Sequence, residues 1–186
     1  MQKRTVLIVG LIALLLIVAS ALWWSLRPAQ IPTFALQMAE GEQVRSWDFK
    51  GAYTGNPELE ARATAEIQRL TGLIGSGEYP DYTVYISIAN QYGLLGDGEN
   101  ELTYLEHALA LDATTTGLAW NNAGALFARL GAKATARMCY ERAAAAQPIG
   151  QYLQALADFL KKQYPEDLAA IKAAEEAGAG ATELLQ

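Results

Sequence analysis

The sequence contains very few of the side chains that carry most protein chemistry. It has one cysteine, Cys139, and one histidine, His107, among 186 residues. A single cysteine excludes an intrachain disulfide, and the two counts together exclude a four-cysteine zinc site and any site with several histidine ligands. The nucleotide-binding motif G-x-x-x-x-G-K-[ST] and the hydrolytic motifs H-E-x-x-H and G-x-S-x-G are also missing. We therefore expect no enzymatic activity, no cofactor and no metal site.

Basic residues are scarce as well. There are 14 lysines and arginines against 20 aspartates and glutamates, which gives a formal net charge of −6. Binding to nucleic acid depends on a basic surface that neutralises phosphates. The charge balance therefore predicts that the chain has no nucleic-acid partner.

The two solitary reactive side chains both fall within predicted helices. His107 is expected to face outward, and no Ser or Cys partner stands near it in a motif, so we do not expect it to be a catalytic base. Cys139 lies in the middle of a helix, where a small buried thiol is the usual state. The neighbouring Arg137 and Arg142 leave a reactive thiol as the alternative, because nearby cations favour the thiolate.

Acidic residues alternate along one short glycine-containing stretch. Asp97, Glu99 and Glu101 have the spacing that calcium-binding loops use. Leu102 stands where such loops have their glycine, and Ala108 stands where they have their final glutamate. We interpret the stretch as a turn with acids at the start of a helix, where the helix dipole favours them, and keep a calcium loop as the alternative.

The N-terminus contains a long apolar run. No residue between Thr5 and Trp24 is charged, and about twenty apolar residues are enough to cross a hydrocarbon core of roughly 30 Å. We predict a transmembrane helix over residues 5–26. Because two basic residues precede it, residues 1–4 are expected in the cytoplasm and the rest of the chain outside it, as in a single-pass inner-membrane protein. A cleaved signal peptide, cut near the small residues Ala19–Ala21, is the alternative and also exports the remainder.

The stretch after the apolar run predicts irregular structure. Residues 27–55 begin with prolines, which disfavour helix in the residues before them. Phe34, Leu36 and Met38 alternate with more polar residues, so a hairpin is conceivable. We prefer a membrane-proximal linker that lies across the following domain with Trp47 and Phe49 packed into it.

The rest of the chain has the apolar spacing of helices, and no strand is expected. Residues 56–177 are therefore predicted to form one helical domain, followed by a flexible tail over 178–186. The predicted helices cover about 56–74, 80–95, 99–111, 118–130, 133–146, 151–163 and 165–176. The predicted class is all-α.

Within this domain, bulky and small side chains recur at fixed intervals. The stretch from residue 120 to 148 resembles a tetratricopeptide repeat at its signature positions: Trp120, Ala123, Gly124, Phe127, Ala136, Tyr140, Ala143 and Pro148. A preceding unit matches at Tyr85, Ala89, Tyr92 and Ala108, but has Glu101 where the repeat has a small residue and Ala113 where it has proline. The resemblance implies a short α-solenoid with repeats over about 82–115 and 117–150, flanked by helices 56–74 and 151–176.

The resemblance also implies where a partner would bind. In this family the first helix of each repeat lines a concave groove, which here would contain Thr83, Ile86, Asn90, Leu118, Asn121, Ala125, Arg129, Tyr152 and Phe159. Tyr152 and Phe159 have packed core as their alternative. The chaperone-binding members grip a terminal carboxylate with two asparagines and several basic residues. Asn90 and Asn122 stand at the asparagine positions, but Ile86, Tyr152 and Leu156 stand at basic ones, so a clamp of that type is not expected.

Charge is distributed unevenly between the two units. Residues 56–115 contain ten acidic residues and two arginines, whereas residues 116–150 contain one acidic residue and four basic ones. Opposite charge at the two ends favours steering of a polar partner or head-to-tail self-association. Ordinary solvated faces are the alternative.

Two functions fit these expectations. The first is a membrane-anchored, non-catalytic scaffold of the bacterial-envelope type, which presents its helices in the periplasm and recruits or organises other envelope proteins. The second is a permanent accessory subunit of a larger membrane complex, with its apolar helix packed against others. Both have protein partners.

Overall fold

The computed structural model describes residues 34–183, and every named element in this part of the chain is an α-helix. In chain order these are α1 Pro57–Thr71, α2 Asp81–Leu95, α3 Gly98–Leu111, α4 Leu118–Arg129, α5 Lys133–Ala146, α6 Gly150–Gln163 and α7 Leu168–Glu183. The only β contact in the described residues is an isolated bridge between Asp48 and Asp97. The predicted all-α class is confirmed.

The helix ends follow local chemistry that is visible in the sequence. Asn56 caps α1, because its Oδ1 accepts a hydrogen bond from the backbone N–H of Leu59 at 3.3 Å. Asp97 caps α3 in the same way through Asn100 at 3.0 Å. Gly96 ends α2 in the left-handed region with φ of 86°, a conformation that glycine adopts without steric cost.

The helices pack mainly against their neighbours in the chain. Contacts between elements are most extensive within three pairs, α2–α3, α4–α5 and α6–α7, and each pair also contacts the next. Small side chains let the helices approach closely: Ala89, Ala108, Ala123 and Ala136 are all completely buried. The main core therefore runs continuously from one pair to the next rather than forming one central cluster.

In the α4–α5 pair, large aromatic side chains pack where the facing residues are small. Gly124 lies against the ring of Tyr140, such that a Cβ atom on the glycine would be 3.0 Å from the ring carbons. Trp120 is buried and its Nε1 donates a hydrogen bond to the carbonyl of Ala113 at 2.8 Å. Phe127 is also completely buried. Burial of such large aromatic rings contributes strongly to the packing of this pair.

Residues 34–56, called the linker segment below, form no hairpin in the structure. Their apolar side chains pack onto the helices instead. The ring centroid of Phe34 lies 5.6 Å from that of Trp120 in an edge-on arrangement, and that of Trp47 lies 6.3 Å from that of Phe127. The backbone N–H of Leu36 donates to Glu106 Oε1 at 2.8 Å. The alternation of Phe34, Leu36 and Met38 thus arises because they face helices rather than a second strand.

The linker segment is also held by backbone bonds to the turn between α2 and α3. Phe49 N–H donates to Gly96 O at 3.0 Å, and Gly98 N–H donates to Trp47 O at 2.9 Å. This approach is close enough to exclude side chains. A Cβ on Gly51 would lie 2.3 Å from Leu94 O, and one on Gly96 would lie 2.0 Å from Phe49 O. The glycines therefore fix where Phe49 and its neighbours sit beside α2.

A second anchor of the linker segment is Glu42. Its carboxylate accepts hydrogen bonds from the backbone N–H groups of Ala134 and Thr135, both at 2.8 Å, and from the Thr135 hydroxyl at 2.6 Å. The residue at the N-cap of α5, Ala132, makes no side-chain capping bond. The first turn of α5 is therefore capped by a residue about ninety positions earlier in the chain.

The C-terminal helix differs from the prediction. It begins at Leu168, where Asp167 Oδ1 accepts from the N–H of Ala170 at 3.2 Å, and it continues to Glu183. The helix therefore extends beyond its predicted end at residue 176 and includes the first residues of the expected flexible tail over 178–186. Alanine-rich sequence has high helix propensity, and Gly178 lies close to Leu153 of α6, so the glycines do not end the helix.

The predicted cytoplasmic residues 1–4 and transmembrane helix 5–26 lie outside the described residues. Within residues 34–183, none of the helices combines the length and the apolar composition that crossing a membrane requires.

Candidate binding cleft

An open cleft of about 500 Å³, called the first cleft, lies where the linker segment meets α2, α3, α4 and α5. Its lining mixes apolar, amide and charged groups, as binding sites for polar ligands do. The lining residues are Phe49, Lys50, Gly51, Ala52, Asn90, Gly93, Leu94, Glu101, Asn122, Ala125, Arg129 and Tyr140.

Arg129 is the most strongly positioned cation in this cleft. Its Nη2 donates to Glu101 Oε1 at 2.6 Å, and its guanidinium carbon lies 4.5 Å from the centre of the Phe49 ring. The carboxylate and the ring face both attract the guanidinium. The side chain still exposes 42% of its surface, so part of this cation faces the cleft.

Glu101 is a buried acid, with only 5% of its side chain exposed. Its Oε2 has no hydrogen-bond partner in the described part of the chain. The carboxylate fits because Gly93 of α2 has no side chain: a Cβ there would lie 2.8 Å from Oε2. Desolvation by burial raises the pKa of Glu101 to about 7, although attraction to Arg129 acts in the opposite direction. The carboxylate is therefore incompletely compensated at neutral pH.

Two asparagines bridge α2 and α4 on the wall of the first cleft. Asn122 Nδ2 donates to Asn90 Oδ1 at 3.0 Å. Asn90 is exposed and Asn122 is half-buried, so both amides keep further donor and acceptor capacity. These are the residues at the two asparagine positions singled out by the family resemblance.

A second cleft of about 440 Å³ continues from the first toward α6. Both clefts share Arg129 and Tyr140 as lining residues, so Arg129 stands at their junction. The remaining lining residues of the second cleft are Ala128, Ala155, Asp158, Phe159, Lys162 and Gln163.

The structure places the nine predicted groove residues at different depths. Asn90, Ala125 and Arg129 line the first cleft, and Phe159 lines the second. Ile86 and Tyr152 line neither cleft: they are buried in the main core, with 4% and 5% of their surfaces exposed. The physical reason is that each points between neighbouring helices, where apolar surface gains most by burial.

The other three predicted residues lie away from both clefts. Thr83 lines a separate cavity of about 280 Å³ together with Leu70 and Tyr79. Leu118 packs partly buried against the main core. Asn121 is half-buried, and its Oδ1 has no partner among the described residues. Its neighbour Asn122, and not Asn121, reaches the cleft.

Three residues that line the first cleft were not predicted as binding residues: Glu101, Phe49 and Lys50. Glu101 carried a signal in the sequence, because it stands where the repeat pattern has a small residue. An acid at a core position is costly unless it is paired, so this departure could have marked the site. Phe49 and Lys50 carried no comparable signal, because their position depends on how the linker segment docks.

His107 does not face outward as expected. It is half-buried, and its ring centroid lies 5.3 Å from that of Tyr85 and 5.8 Å from that of Tyr104. The ring is part of an aromatic cluster between α2 and α3, because its apolar faces gain by packing there.

Cys139 is completely buried in α5. Burial raises the pKa of its thiol to about 12, and the nearby Arg142 only partly opposes this. Because the thiolate is the reactive form, the reactive-thiol alternative is not supported.

The acidic residues at the start of α3 bind two different partners. Asp97 accepts from the backbone and side chain of Asn100, at 3.0 and 2.7 Å, while Glu101 turns toward Arg129. In residues 34–183, no group of three or more His, Cys, Asp and Glu side chains is placed to hold a metal ion. The arrangement fits a capped helix start.

In residues 34–183, consecutively packed helix pairs therefore share a polar cleft. Comparison of the chain with protein-family models, with curated proteins and with solved structures found no match.

Proposed function

We propose that the chain is a membrane-anchored, non-catalytic scaffold of the tetratricopeptide type. In this proposal its N-terminal apolar segment spans the inner membrane once, and its short α-solenoid lies on the extracytoplasmic side, where it recruits or organises envelope proteins. The observation that carries the proposal is the pair of adjoining clefts across α2, α4 and α6, the first helices of three consecutive pairs.

The helix packing supports the repeat assignment. Residues at corresponding signature positions, such as Ala89 and Gly124 or Ala108 and Ala143, are buried small residues at contacts between helices. A pair of this kind cannot bury its apolar face alone and must stack on a neighbour.

The composition of the clefts supports a protein ligand. The first cleft offers the amides of Asn90 and Asn122, the guanidinium of Arg129 and the ring of Phe49. An extended peptide presents backbone amides and alternating side chains that such groups can bind. Membrane anchoring would raise the effective concentration of a partner in the same membrane, so modest affinity is sufficient.

Site-specific photocrosslinking in intact membranes tests the proposed surface. A photoreactive residue at Asn90 in the first cleft should attach reproducibly to one or a few envelope proteins. The matched control places the same residue at Thr64, which is exposed on α1 and away from the clefts. Equal capture of the same proteins from both positions would show that the cleft is not the binding surface.

Gentle detergent extraction separates the scaffold from the accessory-subunit alternative. A scaffold should be extracted alone or with variable amounts of its partners. Recovery in one complex of fixed stoichiometry would favour the permanent subunit. A reporter fused after Gln186 and found active in the cytosol would contradict the extracytoplasmic placement.

A further inference from the structure

We propose that the first cleft binds an acidic segment of the partner protein, whose carboxylate replaces Glu101 on Arg129 while Glu101 takes up a proton from solvent. The proposal identifies the chemistry of the ligand and therefore rests on the proposed function. Four observations support it: the charge of the residues that line the clefts, the hydrogen bonding of Arg129, the burial of Glu101 and the nature of the groups around Glu101.

The clefts have the opposite charge to the chain as a whole. Their charged lining residues are three cations, Lys50, Arg129 and Lys162, and two acids, Glu101 and Asp158. The complete chain has a formal charge of −6. A cationic lining within an acidic protein favours an acidic ligand and disfavours a basic one.

Arg129 has capacity for a second anion. A guanidinium carries five donor hydrogens in a fixed fork, and its bond to Glu101 at 2.6 Å is the one hydrogen bond it makes to a described residue. Stacking over Phe49 at 4.5 Å orients the group before a ligand arrives. Because Arg129 lines both clefts, a segment lying along them must pass it.

Glu101 cannot remain charged once Arg129 turns to another carboxylate. Its side chain is 5% exposed, and Oε2 already lacks a partner in the described residues. An unpaired buried carboxylate is strongly unfavourable, and its pKa is already raised to about 7. Protonation therefore accompanies release of the arginine.

The surroundings of Glu101 offer no other direct ion pair. Among the residues that line the first cleft, α2 contributes Asn90, Gly93 and Leu94, which are uncharged, and α4 contributes one cation, Arg129. The linker segment contributes Lys50, and α5 contributes Tyr140, whose pKa is raised by burial so that it stays neutral. The titration of Glu101 is therefore governed by its burial and by Arg129.

The exchange makes binding dependent on pH. Uptake of one proton by a group with a pKa near 7 weakens binding about tenfold between pH 6 and pH 8. The probe is a fluorescein-labelled deca-glutamate peptide, with deca-lysine and deca-serine peptides of the same length as controls. Binding to the full-length chain in nanodiscs is followed by fluorescence anisotropy from pH 6 to pH 8 at constant ionic strength.

The expected result is binding of deca-glutamate alone, tighter at pH 6. Glu101→Gln is expected to remove the pH dependence and to bind about tenfold more tightly than the parent at pH 8. Glu99→Gln, which changes an exposed acid on the same helix, should behave like the parent. Arg129→Gln should lose binding. Because that change leaves Glu101 buried without its cation, the double variant E101Q/R129Q is measured as well and should also not bind.

Three results would overturn the inference. The first is preference for deca-lysine, and the second is an unchanged pH dependence in Glu101→Gln. The third is a concentration-dependent dimer that Arg129→Gln abolishes, without deca-glutamate binding, which would assign the cleft to the acidic surface of a second copy. If Asn90 still crosslinks to an envelope protein while deca-glutamate fails to bind, the proposed function stands and the acidic ligand is wrong.

Discussion

The α2–α3 and α4–α5 pairs fill the contact between their two helices in different ways. In α4–α5, Ala136 is completely buried and Gly124 receives the ring of Tyr140. In α2–α3 the position corresponding to Ala136 is Glu101, which is also buried, and Gly93 receives its carboxylate. One contact between helices is filled by an aromatic ring, and the other is filled by an acid whose cation comes from α4.

The difference shows that two similar helix pairs can hold either an apolar or a titratable group at the contact between their helices. An aromatic ring against glycine gains by burial at any pH. A buried carboxylate costs desolvation and persists only with a partner. The α4–α5 pair therefore contributes mainly stability, whereas the α2–α3 pair gives up some stability and places a titratable group beside a cleft.

The largest expected effect tests the stabilising role of α4–α5. Trp120→Ala should lower the free energy of unfolding by about 3–5 kcal/mol, because it empties a buried aromatic site and leaves the carbonyl of Ala113 without its donor. Urea denaturation of the full-length chain measures this. Trp120→Phe, which keeps most of the buried ring, should cost clearly less. A loss below about 1 kcal/mol would contradict the stabilising role assigned to Trp120.

The next effect concerns the buried acid of α2–α3. The folded pKa of Glu101, about 7, lies above its ordinary value of 4.5, so the folded state holds a proton that the unfolded state releases in this interval. Stability from this group is present below about pH 4.5 and is lost as the pH rises to about 7. The expected loss is about 3 kcal/mol, from about 1.4 kcal/mol per pKa unit.

Unfolding measured from pH 5 to pH 8 in the parent and in Glu101→Gln isolates that contribution. The variant should show a flatter profile. The carboxyl of Asp112 does not interfere, because hydrogen bonds from Thr115 and Thr114 lower its pKa to about 2 and it is ionised in both states above about pH 5. Parallel profiles in parent and variant would contradict the assigned environment of Glu101.

A smaller expected loss of stability tests the backbone contact between the linker segment and the turn that joins α2 to α3. Gly96→Ala should cost about 2 kcal/mol, because the residue has positive φ and its Cβ would meet the carbonyl of Phe49. Gly131→Ala is the matched control: its φ is 80° but a Cβ there meets nothing within 4 Å, so about 1 kcal/mol is expected. Thermal unfolding compares the two. Equal losses would show that the linker segment does not constrain this turn.

The smallest expected loss of stability tests whether Glu42 of the linker segment caps α5. Glu42→Ala should cost about 1 kcal/mol, since it removes the acceptor for two backbone N–H groups in the first turn. Glu40→Ala, two residues away and exposed, should leave stability unchanged within about 0.5 kcal/mol. Hydrogen exchange at Ala134 and Thr135 provides a local measurement, and undiminished protection in Glu42→Ala would rule out the capping role.

Local chemistry made much of the fold predictable. Asn56 indicated the start of α1, and Gly96 and Gly131 indicated the ends of α2 and α4. Such signals are visible in the sequence because capping residues and left-handed glycines determine helix ends within a few residues. The end of α7 was misjudged because Gly178 and Gly180 look like breaks, while contact with α6 and the surrounding alanines favours helix. Tertiary packing overrode the local signal there.

The cleft was predictable only in part. Asn90, Ala125 and Arg129 were predicted from their places on the first helices of the expected repeats. Phe49 contacts Arg129 across about eighty residues of chain, and its neighbour Lys50 lines the same cleft. No spacing pattern encodes such a contact, because it depends on backbone docking at Gly51 and Gly96. Glu101 was visible as a departure from the repeat, but its meaning required knowledge of the cation opposite.

The docking of the linker segment also determines how the described domain would respond to a pulling force. Tension applied to the chain before Phe34 meets bonds to three separate helices: Leu36 to Glu106 on α3, Glu42 to the start of α5, and Phe49 to the end of α2 at Gly96. These attachments follow one another along the chain, so tension from the N-terminal side releases them in order, beginning at Leu36, before it reaches α1. Because Phe49 is one of these attachments and also lines the first cleft, loosening the linker segment would remove one wall of the cleft before any helix unwinds.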